Sequence, residues 1–151
     1  GTSFGPLIAL NDDVMLPQSG HTLHPHAEME ILTYVISGQL THEDTAGRNE
    51  TLPPGAVQSI TAGTGIYHME MNRDGGTELR FVQMWFLPWR WNLAPRTSSR
   101  APSPAETRPR RWRPLATPEG DAQCTECVRM EQDAYLYAAH LEQEGFGTMY
   151  H

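Results

Sequence analysis

Lysine is absent from the chain, and all 11 basic residues are arginines. We attribute this to a compositional bias that has no bearing on mechanism. No apolar run approaches the roughly 18 residues of a membrane span, and no charged start followed by an apolar stretch marks a signal peptide. We therefore expect a soluble, cytoplasmic protein that does not contact a membrane.

Cysteine is also scarce, since Cys124 and Cys127 are the only two in the chain. They offer no disulfide framework, which fits a reducing compartment. The C-x-x-C motif has no second Cys or His pair at metal-ligand spacing. We therefore interpret it as incidental rather than as a zinc or redox site.

Positive charge is in deficit overall, with a net charge of −7. This argues against nucleic-acid binding driven by overall charge. Residues 92–120 are an exception, because six arginines and two glutamates give this segment a charge of +4. We interpret the segment as a solvated linker and leave open a contact patch for an anionic partner.

The 151 residues, with 13 Gly and 12 Pro, predict one domain, or one domain with an appendage, built from short strands. Turn signals recur about every 8–12 residues over the first 90, a spacing typical of a β-sandwich or barrel. A turn signal at 11–13 ends the first predicted strand, a hairpin is predicted at 44–48, and 133–142 is ambiguous between strand and helix. The predicted strands cover 4–10, 29–36, 39–43, 56–61, 66–72 and 79–87.

Two pairs of potential metal ligands stand at positions i and i+2, His24 with His26 and His68 with Glu70. On an extended chain these positions point to the same face. Two such pairs on neighbouring strands could therefore close around one ion. Three imidazoles and one carboxylate suit Fe, Mn, Co, Ni or Cu, with Zn also possible, and leave positions for substrate and dioxygen.

These pairs lie in the motifs HxHxxxE at 24–30 and HxExN at 68–72, which have the form of the two cupin motifs. More narrowly, the sequence resembles the pirin family of the cupin superfamily. The resemblance is dense over 4–91 and weaker through 115–141. It is carried by FGPL at 4–7, LNDD at 10–13, HPH at 24–26, MEILTYV at 29–35, HED at 42–44, PGAVQ at 54–58, AGTGI at 62–66 and HMEMN at 68–72.

The resemblance implies an all-β, jelly-roll-like cupin barrel with one metal, iron being favoured. In several members it implies quercetin 2,3-dioxygenase activity. It assigns His24, His26, His68 and Glu70 as the metal ligands, in preference to Glu30. We expect Glu70 to act also as the catalytic base that takes the proton of an enol or flavonol hydroxyl. The expected substrate is small and hydrophobic or aromatic.

Other residues near the motifs receive less definite interpretations. We expect His42 and Asp44 to stabilise a turn, and His21 to lie either beside the ligands or in solvent. Apolar residues on the predicted strands should form the barrel core, and some should line an aromatic and methionine-rich cavity mouth. These residues are Ile60, Met69, Met71, Met84, Trp85 and Phe86.

The resemblance predicts three parts: a cupin barrel with the metal site at 1–91, a Pro/Arg-rich linker or arm at 92–120, and a segment at 121–151 resembling the start of a second pirin barrel. Pirins have further residues before FGPL and a complete second barrel. We therefore expect either a truncated chain or a naturally short form, in which a homodimer is favoured.

Ala27 and Glu28 stand where the family often has a basic residue, so we expect a more acidic cavity entrance. This keeps two alternatives to the dioxygenase open. One is a non-redox metal-dependent cyclase or isomerase of specialised metabolism, and the other is an iron-binding regulatory protein.

Overall fold

The computed structural model describes residues 3–102 and 112–141. Within these ranges the chain folds into twelve β-strands. No helix that is long and apolar enough to cross a membrane occurs in this part of the chain. The strands are β1 (Leu7–Met15), β2 (Ser19–His26), β3 (Glu30–Ser37), β4 (Leu40–Asp44), β5 (Asn49–Leu52), β6 (Val57–Thr61), β7 (Ile66–Asn72), β8 (Leu79–Phe86), β9 (Arg96–Arg100), β10 (Arg113–Pro118), β11 (Val128–Met130) and β12 (Leu136–Ala138).

The strands form three sheets, which confirms the all-β class. A five-stranded sheet has the order β1-β8-β3-β6-β9, and a four-stranded sheet has the order β2-β7-β4-β5. Both are antiparallel throughout and face each other across the barrel interior. The third sheet, β11-β10-β12, comes entirely from residues after 112.

Strand β3 is buried on both faces over most of its length, which explains why apolar residues stand on both of its faces. Ile31 and Val35 belong to two clusters inside the barrel, whereas Leu32 belongs to a cluster on the outer face. The three-stranded sheet covers that outer face. The outer cluster consists of Leu32, Val57, Met84 and Phe86 from the barrel and Leu115, Ala116, Val128 and Met130 from the third sheet.

The predicted turn at 11–13 is wrong, because β1 continues to Met15. The two acidic residues that signalled a turn lie on opposite faces of this strand. Asp12 pairs with Arg80 of β8, with 2.6 Å between Oδ2 and Nη2, and Asp13 lines the cavity described below. Each carboxylate therefore keeps polar surroundings without interrupting the pairing of β1 with β8.

The segment at 92–120, predicted as a linker or arm, contains two strands in its described part. β9 adds a fifth strand to the barrel sheet, and β10 is the central strand of the third sheet. Residues 103–111 lie outside the described ranges. Arg96 pairs with Glu119 and Glu131, so at least part of the basic segment has partners within the chain. The boundaries of the three predicted parts remain a prediction.

The C-terminal segment differs from the sequence interpretation in two further ways. Cys124 and Cys127 form a disulfide bond in the loop before β11, which corrects the expectation that the two cysteines offer no disulfide framework. The region that was ambiguous between helix and strand contains the short strand β12, and residue 142 lies outside the described part.

Candidate metal centre

Strands β2 and β7 bring the two predicted ligand pairs together. They pair antiparallel, with His24 directly opposite His68. The ring centroids of His24, His26 and His68 are 4.4 to 4.9 Å apart. One ring nitrogen from each of the three lies within 4.8 Å of the other two. The i, i+2 spacing has therefore placed three imidazoles at one point of the barrel.

A β-bulge in β2 changes which side chains face this centre. The register shifts between His21 and His24, so that His21 is opposite Glu70 and His24 is opposite His68. Strict alternation would have put two residues three apart on opposite faces. The bulge instead brings His21 beside the centre, with its Nδ1 4.0 Å from Oε2 of Glu70. His21 is thus a neighbour of the predicted ligands.

Glu70 is buried and held by a chain of hydrogen bonds from β8. Its Oε1 accepts a hydrogen bond of 2.8 Å from Nε2 of Gln83, and Oε1 of Gln83 accepts one of 2.9 Å from Nε1 of Trp85. His42 and His68 each offer a ring nitrogen that lies within 4.8 Å of a Glu70 carboxylate oxygen and of the other ring nitrogen. Glu70 therefore borders the three-histidine cluster, and its role as fourth ligand stays a prediction.

The electrostatics favour neutral imidazoles at His26 and His68 beside an ionised carboxylate at Glu70. Burial, assisted by the neighbouring histidines and opposed by Glu70, lowers the pKa of His68 to about 4. Burial lowers the pKa of His26 as well. Burial alone would raise the pKa of Glu70, but His21, His68 and Gln83 together bring it below its usual value. Neutral imidazole and carboxylate are the forms that bind metal ions.

The hydrogen bonding of His68 provides a test of whether a metal fits here. Both of its ring nitrogens are buried, and neither has a hydrogen-bond partner among the described residues. Leaving a buried polar group unpaired costs about 1–3 kcal/mol. A metal ion bound to His68 would satisfy one of these nitrogens, so the residues present fit the metal that the family pattern implies.

Two other candidate residues have different surroundings from those expected. Glu30 points out of the barrel, where its two carboxylate oxygens accept hydrogen bonds of 2.7 Å from the backbone N–H groups of Glu131 and Gln132. It is not part of this centre. His42 is fully buried on β4, with its ring centroid 5.4 Å from that of His68. His42 thus lies within β4 and not in the turn itself. The expected stabilisation of the turn is confirmed for Asp44, which accepts a hydrogen bond from the backbone N–H of Arg48 across the turn and is itself bonded to His42.

An open cavity of about 660 Å³ leads to the centre. Of the apolar residues predicted to line it, Trp85 does so, and the ring centroids of Trp85 and His26 are 5.6 Å apart. The expected acidic group at the cavity comes from Asp13, which lines the wall. Glu28 does not line the cavity, and its carboxylate accepts a hydrogen bond from the backbone N–H of Asn92. The lining residues are Asn11, Asp13, Gly20, His21, Thr22, His24, His26, Glu70, Gln83 and Trp85.

Comparisons with known proteins agree with this geometry. The family model described as Pirin matches residues 3–86. The quercetin 2,3-dioxygenase of Escherichia coli K12 is 41% identical over 97 residues, which cover 64% of this chain and 42% of that protein. A relative from Pseudomonas aeruginosa is 40% identical over 139 residues, which cover 92% of this chain and 58% of that protein.

Solved structures show the same likeness. The crystal structure of YhhW from Escherichia coli superposes with a TM-score of 0.80 and 34% identity, over 89% of this chain and 55% of that chain. The structure of bacterial pirin YhhW in complex with nickel(II) gives a TM-score of 0.78 at the same identity and coverage. This supports the cupin barrel predicted from the sequence.

The chain spans only 36% to 58% of the length of the curated relatives that it matches here. Residues 3–86, which the family model matches, nevertheless make up more than half of the 151 residues. They include both histidine motifs and most of the strands that surround the candidate metal centre. The chain belongs to the pirin family of the cupin superfamily.

Proposed function

We propose that the protein is a mononuclear metal-dependent dioxygenase of a quercetin-like flavonol or another enolic aromatic compound. His24, His26, His68 and Glu70 would hold the metal. The observation that carries this proposal is the cluster of three imidazoles beside a buried carboxylate at the end of an open cavity. The name of the Escherichia coli relative supports quercetin as the first compound to test.

Iron is the metal we favour, since its redox chemistry toward dioxygen is what a dioxygenase requires. The donor set also suits manganese, cobalt, nickel and copper, and the nickel(II) complex belongs to a similar barrel. Zinc fits the same ligands but does not activate oxygen by redox. The choice of metal thus separates oxygen chemistry from Lewis-acid chemistry.

The cavity walls offer a flat aromatic ligand two kinds of contact. The indole of Trp85 provides an apolar surface beside the ring of His26, against which an aromatic ring can pack. Asn11 and Asp13 of β1 also line the cavity and provide hydrogen-bonding groups. A polyhydroxylated flavonol has both the aromatic plane and the hydroxyl groups that these walls can bind.

Glu70 is the group we propose as the base. Its lowered pKa keeps the carboxylate ionised and ready to accept a proton. Gln83 holds Oε1 by a 2.8 Å hydrogen bond, and Oε2 is the oxygen nearer to His21 at the cavity wall. The proton of an enolic hydroxyl would pass to this carboxylate. Gln83 and Trp85 would keep the carboxylate in place during the transfer.

The test combines metal analysis with oxygen uptake on quercetin. The protein reconstituted with Fe(II) should hold about one metal per chain, consume oxygen and release carbon monoxide. His68→Ala should lose both the metal and the activity. His140→Ala is a matched control, because His140 is an exposed histidine in the C-terminal segment and should leave both unchanged.

The other possible results separate the alternatives. Metal without oxygen uptake would contradict the dioxygenase and favour a Lewis-acid cyclase or isomerase, or an iron-dependent regulator. Failure to take up any metal would contradict all three. The cytoplasmic location and the homodimer stay predictions, which fractionation of the source cells and light scattering would test.

A further inference from the structure

We propose that His42 is a positioning residue of the metal centre, which holds the imidazole of His68 in place and is itself oriented by Asp44 and by Thr97 of β9. This inference rests on the proposed function, because it presupposes that His68 binds a metal. It assigns a role to a buried histidine outside the two cupin motifs and to a strand in the segment predicted as a linker.

Asp44 fixes the orientation of the His42 ring. Nε2 of His42 donates a hydrogen bond of 2.7 Å to Oδ2 of Asp44, since an ionised carboxylate can only accept. The same Asp44 oxygen accepts a 2.6 Å hydrogen bond from Oγ1 of Thr97, and Oδ1 accepts one of 3.0 Å from the backbone N–H of Arg48. With the proton on Nε2, neutral His42 has a free lone pair on Nδ1.

The remaining nitrogens of His42 and His68 complement each other. Nδ1 of His42 is buried without a hydrogen-bond partner, and so are both nitrogens of His68. Metal-bound histidines almost always donate their other ring N–H to an acceptor, which fixes the tautomer and the ring orientation. Once one nitrogen of His68 is bound to a metal, its other nitrogen is a buried donor, and His42 carries a buried acceptor nearby.

The distance between the two rings is compatible with this pairing. Their ring centroids are 5.4 Å apart with 62° between the ring planes. One ring nitrogen of His42 lies within 4.8 Å of one ring nitrogen of His68. A rotation of the His68 ring or one bridging water would close that gap. The proposed order of contacts is therefore Thr97, Asp44, His42, His68 and metal, leading from the outermost strand of the five-stranded sheet to the centre.

His42 could instead be a ligand, since His42, His68 and Glu70 form a second group of donor atoms within 4.8 Å. Two observations favour positioning. Nε2 of His42 and Oε1 of Glu70 are already engaged by Asp44 and Gln83. In addition, His42 does not line the cavity, whereas His24 and His26 do. A metal placed with His24 and His26 is accessible to substrate.

The experiment measures the Co(II) dissociation constant and the visible absorption spectrum of Co(II)-loaded protein. We expect His42→Phe to raise the dissociation constant by about 10- to 100-fold, the usual effect of losing a residue that supports a metal ligand. The Co(II) absorption bands should keep their number and intensity, because no ligand is lost. His42→Gln retains a hydrogen-bonding side chain and should recover part of the affinity.

Thr97→Val tests the same line of contacts with a smaller change that is expected to fold. Removing one hydrogen bond to Asp44 should raise the dissociation constant by about 2- to 10-fold. Ser99→Ala is the matched control, because Ser99 lies two residues further along β9 and its hydroxyl bonds to Glu50 instead. This variant should bind Co(II) with wild-type affinity.

Each other outcome would overturn a defined part of the argument. Wild-type affinity in both His42→Phe and Thr97→Val would refute the positioning role while leaving the proposed function intact. A change in the number or intensity of the Co(II) bands in His42→Phe would show that His42 is a ligand, which also refutes positioning. A wild-type protein that binds no metal would refute both this inference and the proposed function.

Discussion

Two buried glutamates show how differently the outside and the inside of this barrel use the same side chain. Glu30 points outward from β3, and both its oxygens accept backbone N–H groups from the C-terminal segment about 100 residues later. Glu70 points inward from β7, where one carboxylate oxygen accepts a hydrogen bond from Gln83 and the other oxygen lies nearer to His21 and the cavity. Both side chains are almost completely buried.

The comparison shows that burial alone does not identify a functional carboxylate. The oxygens of Glu30 are both occupied by backbone donors that cannot be exchanged for a substrate. Glu70 lines the cavity and lies within 4.8 Å of a histidine with unpaired nitrogens. Glu30 thus joins two parts of the fold, whereas Glu70 is placed for chemistry. Variants of the two residues should separate these roles.

The largest expected effect is that of Glu70→Gln on oxygen consumption. If Glu70 is the base, this variant should lose about 100- to 10,000-fold in rate with quercetin, the usual contribution of a general base. The amide keeps the size of the side chain. Oxygen-electrode rates and metal content measured together would check this, with Glu30→Gln as the matched control. Full metal occupancy with full activity in Glu70→Gln would contradict both proposed roles of Glu70.

The second prediction is that Glu30→Gln, on the outside of the barrel, lowers stability and leaves metal affinity unchanged. Glu30→Gln replaces one accepting oxygen by an NH₂ group, so one of the N–H groups of Glu131 and Gln132 loses its partner. The free energy of unfolding should fall by about 1–3 kcal/mol, the cost of one unpaired buried donor. Urea denaturation of the metal-free protein would measure it. The metal affinity of the folded variant should not change, and a clear loss of affinity would place Glu30 at the centre after all.

Residues close together in sequence made the barrel and the candidate centre predictable. The i, i+2 spacing placed His24 and His26 on one side, and the predicted strands at 29–36, 66–72 and 79–87 match β3, β7 and β8 within one residue. The ligand prediction rests on the two-residue period of an extended chain, whereas the strand predictions rest on apolar runs bounded by turn signals. That period holds wherever a strand is regular.

The missed features depend on irregular backbone or on contacts between distant residues. The bulge that brings His21 beside Glu70 leaves no mark in the local sequence pattern. The hydrogen bonds of Glu30 join residues 101 and 102 positions apart, and Thr97 meets Asp44 from 53 positions away. The spacing of residues within a short stretch of sequence cannot predict contacts between residues so far apart. The position of His42 beside His68 was not predicted for the same reason, because it depends on the pairing of β4 with β7.

A smaller effect should distinguish the two faces of β1. Asp13 lines the cavity, whereas Asp12 points outward to Arg80. If Asp13 accepts a hydroxyl of the substrate, Asp13→Asn should raise the KM for quercetin about 2- to 10-fold, as expected for one hydrogen bond. Asp12→Asn is the matched control on the same strand and should leave the KM unchanged. Equal effects of the two substitutions would mean that Asp13 does not contact the substrate.

The smallest expected effect is the contribution of Glu30 to the pH dependence of the free energy of unfolding. Burial raises the pKa of Glu30 above the usual glutamate value of about 4.3, although the N–H groups of Glu131 and Gln132 oppose the shift. The folded state therefore holds this proton more tightly than the unfolded state. The contribution of protonated Glu30 to the free energy of unfolding is therefore complete below the pKa of Glu30 in the unfolded state. It declines as the pH rises through the raised pKa of the folded state.

Glu30→Gln cannot titrate at this position and should lack that decline. Titrations of other groups, such as Asp12 and Asp44, occur in both proteins and largely cancel when the two are compared. The difference in the free energy of unfolding between the wild type and Glu30→Gln should thus be largest in acid and shrink as the pH rises. Urea denaturation between about pH 4 and pH 7 would measure it. A constant difference would mean that Glu30 titrates alike in the folded and unfolded states, and that its backbone donors fully offset its burial.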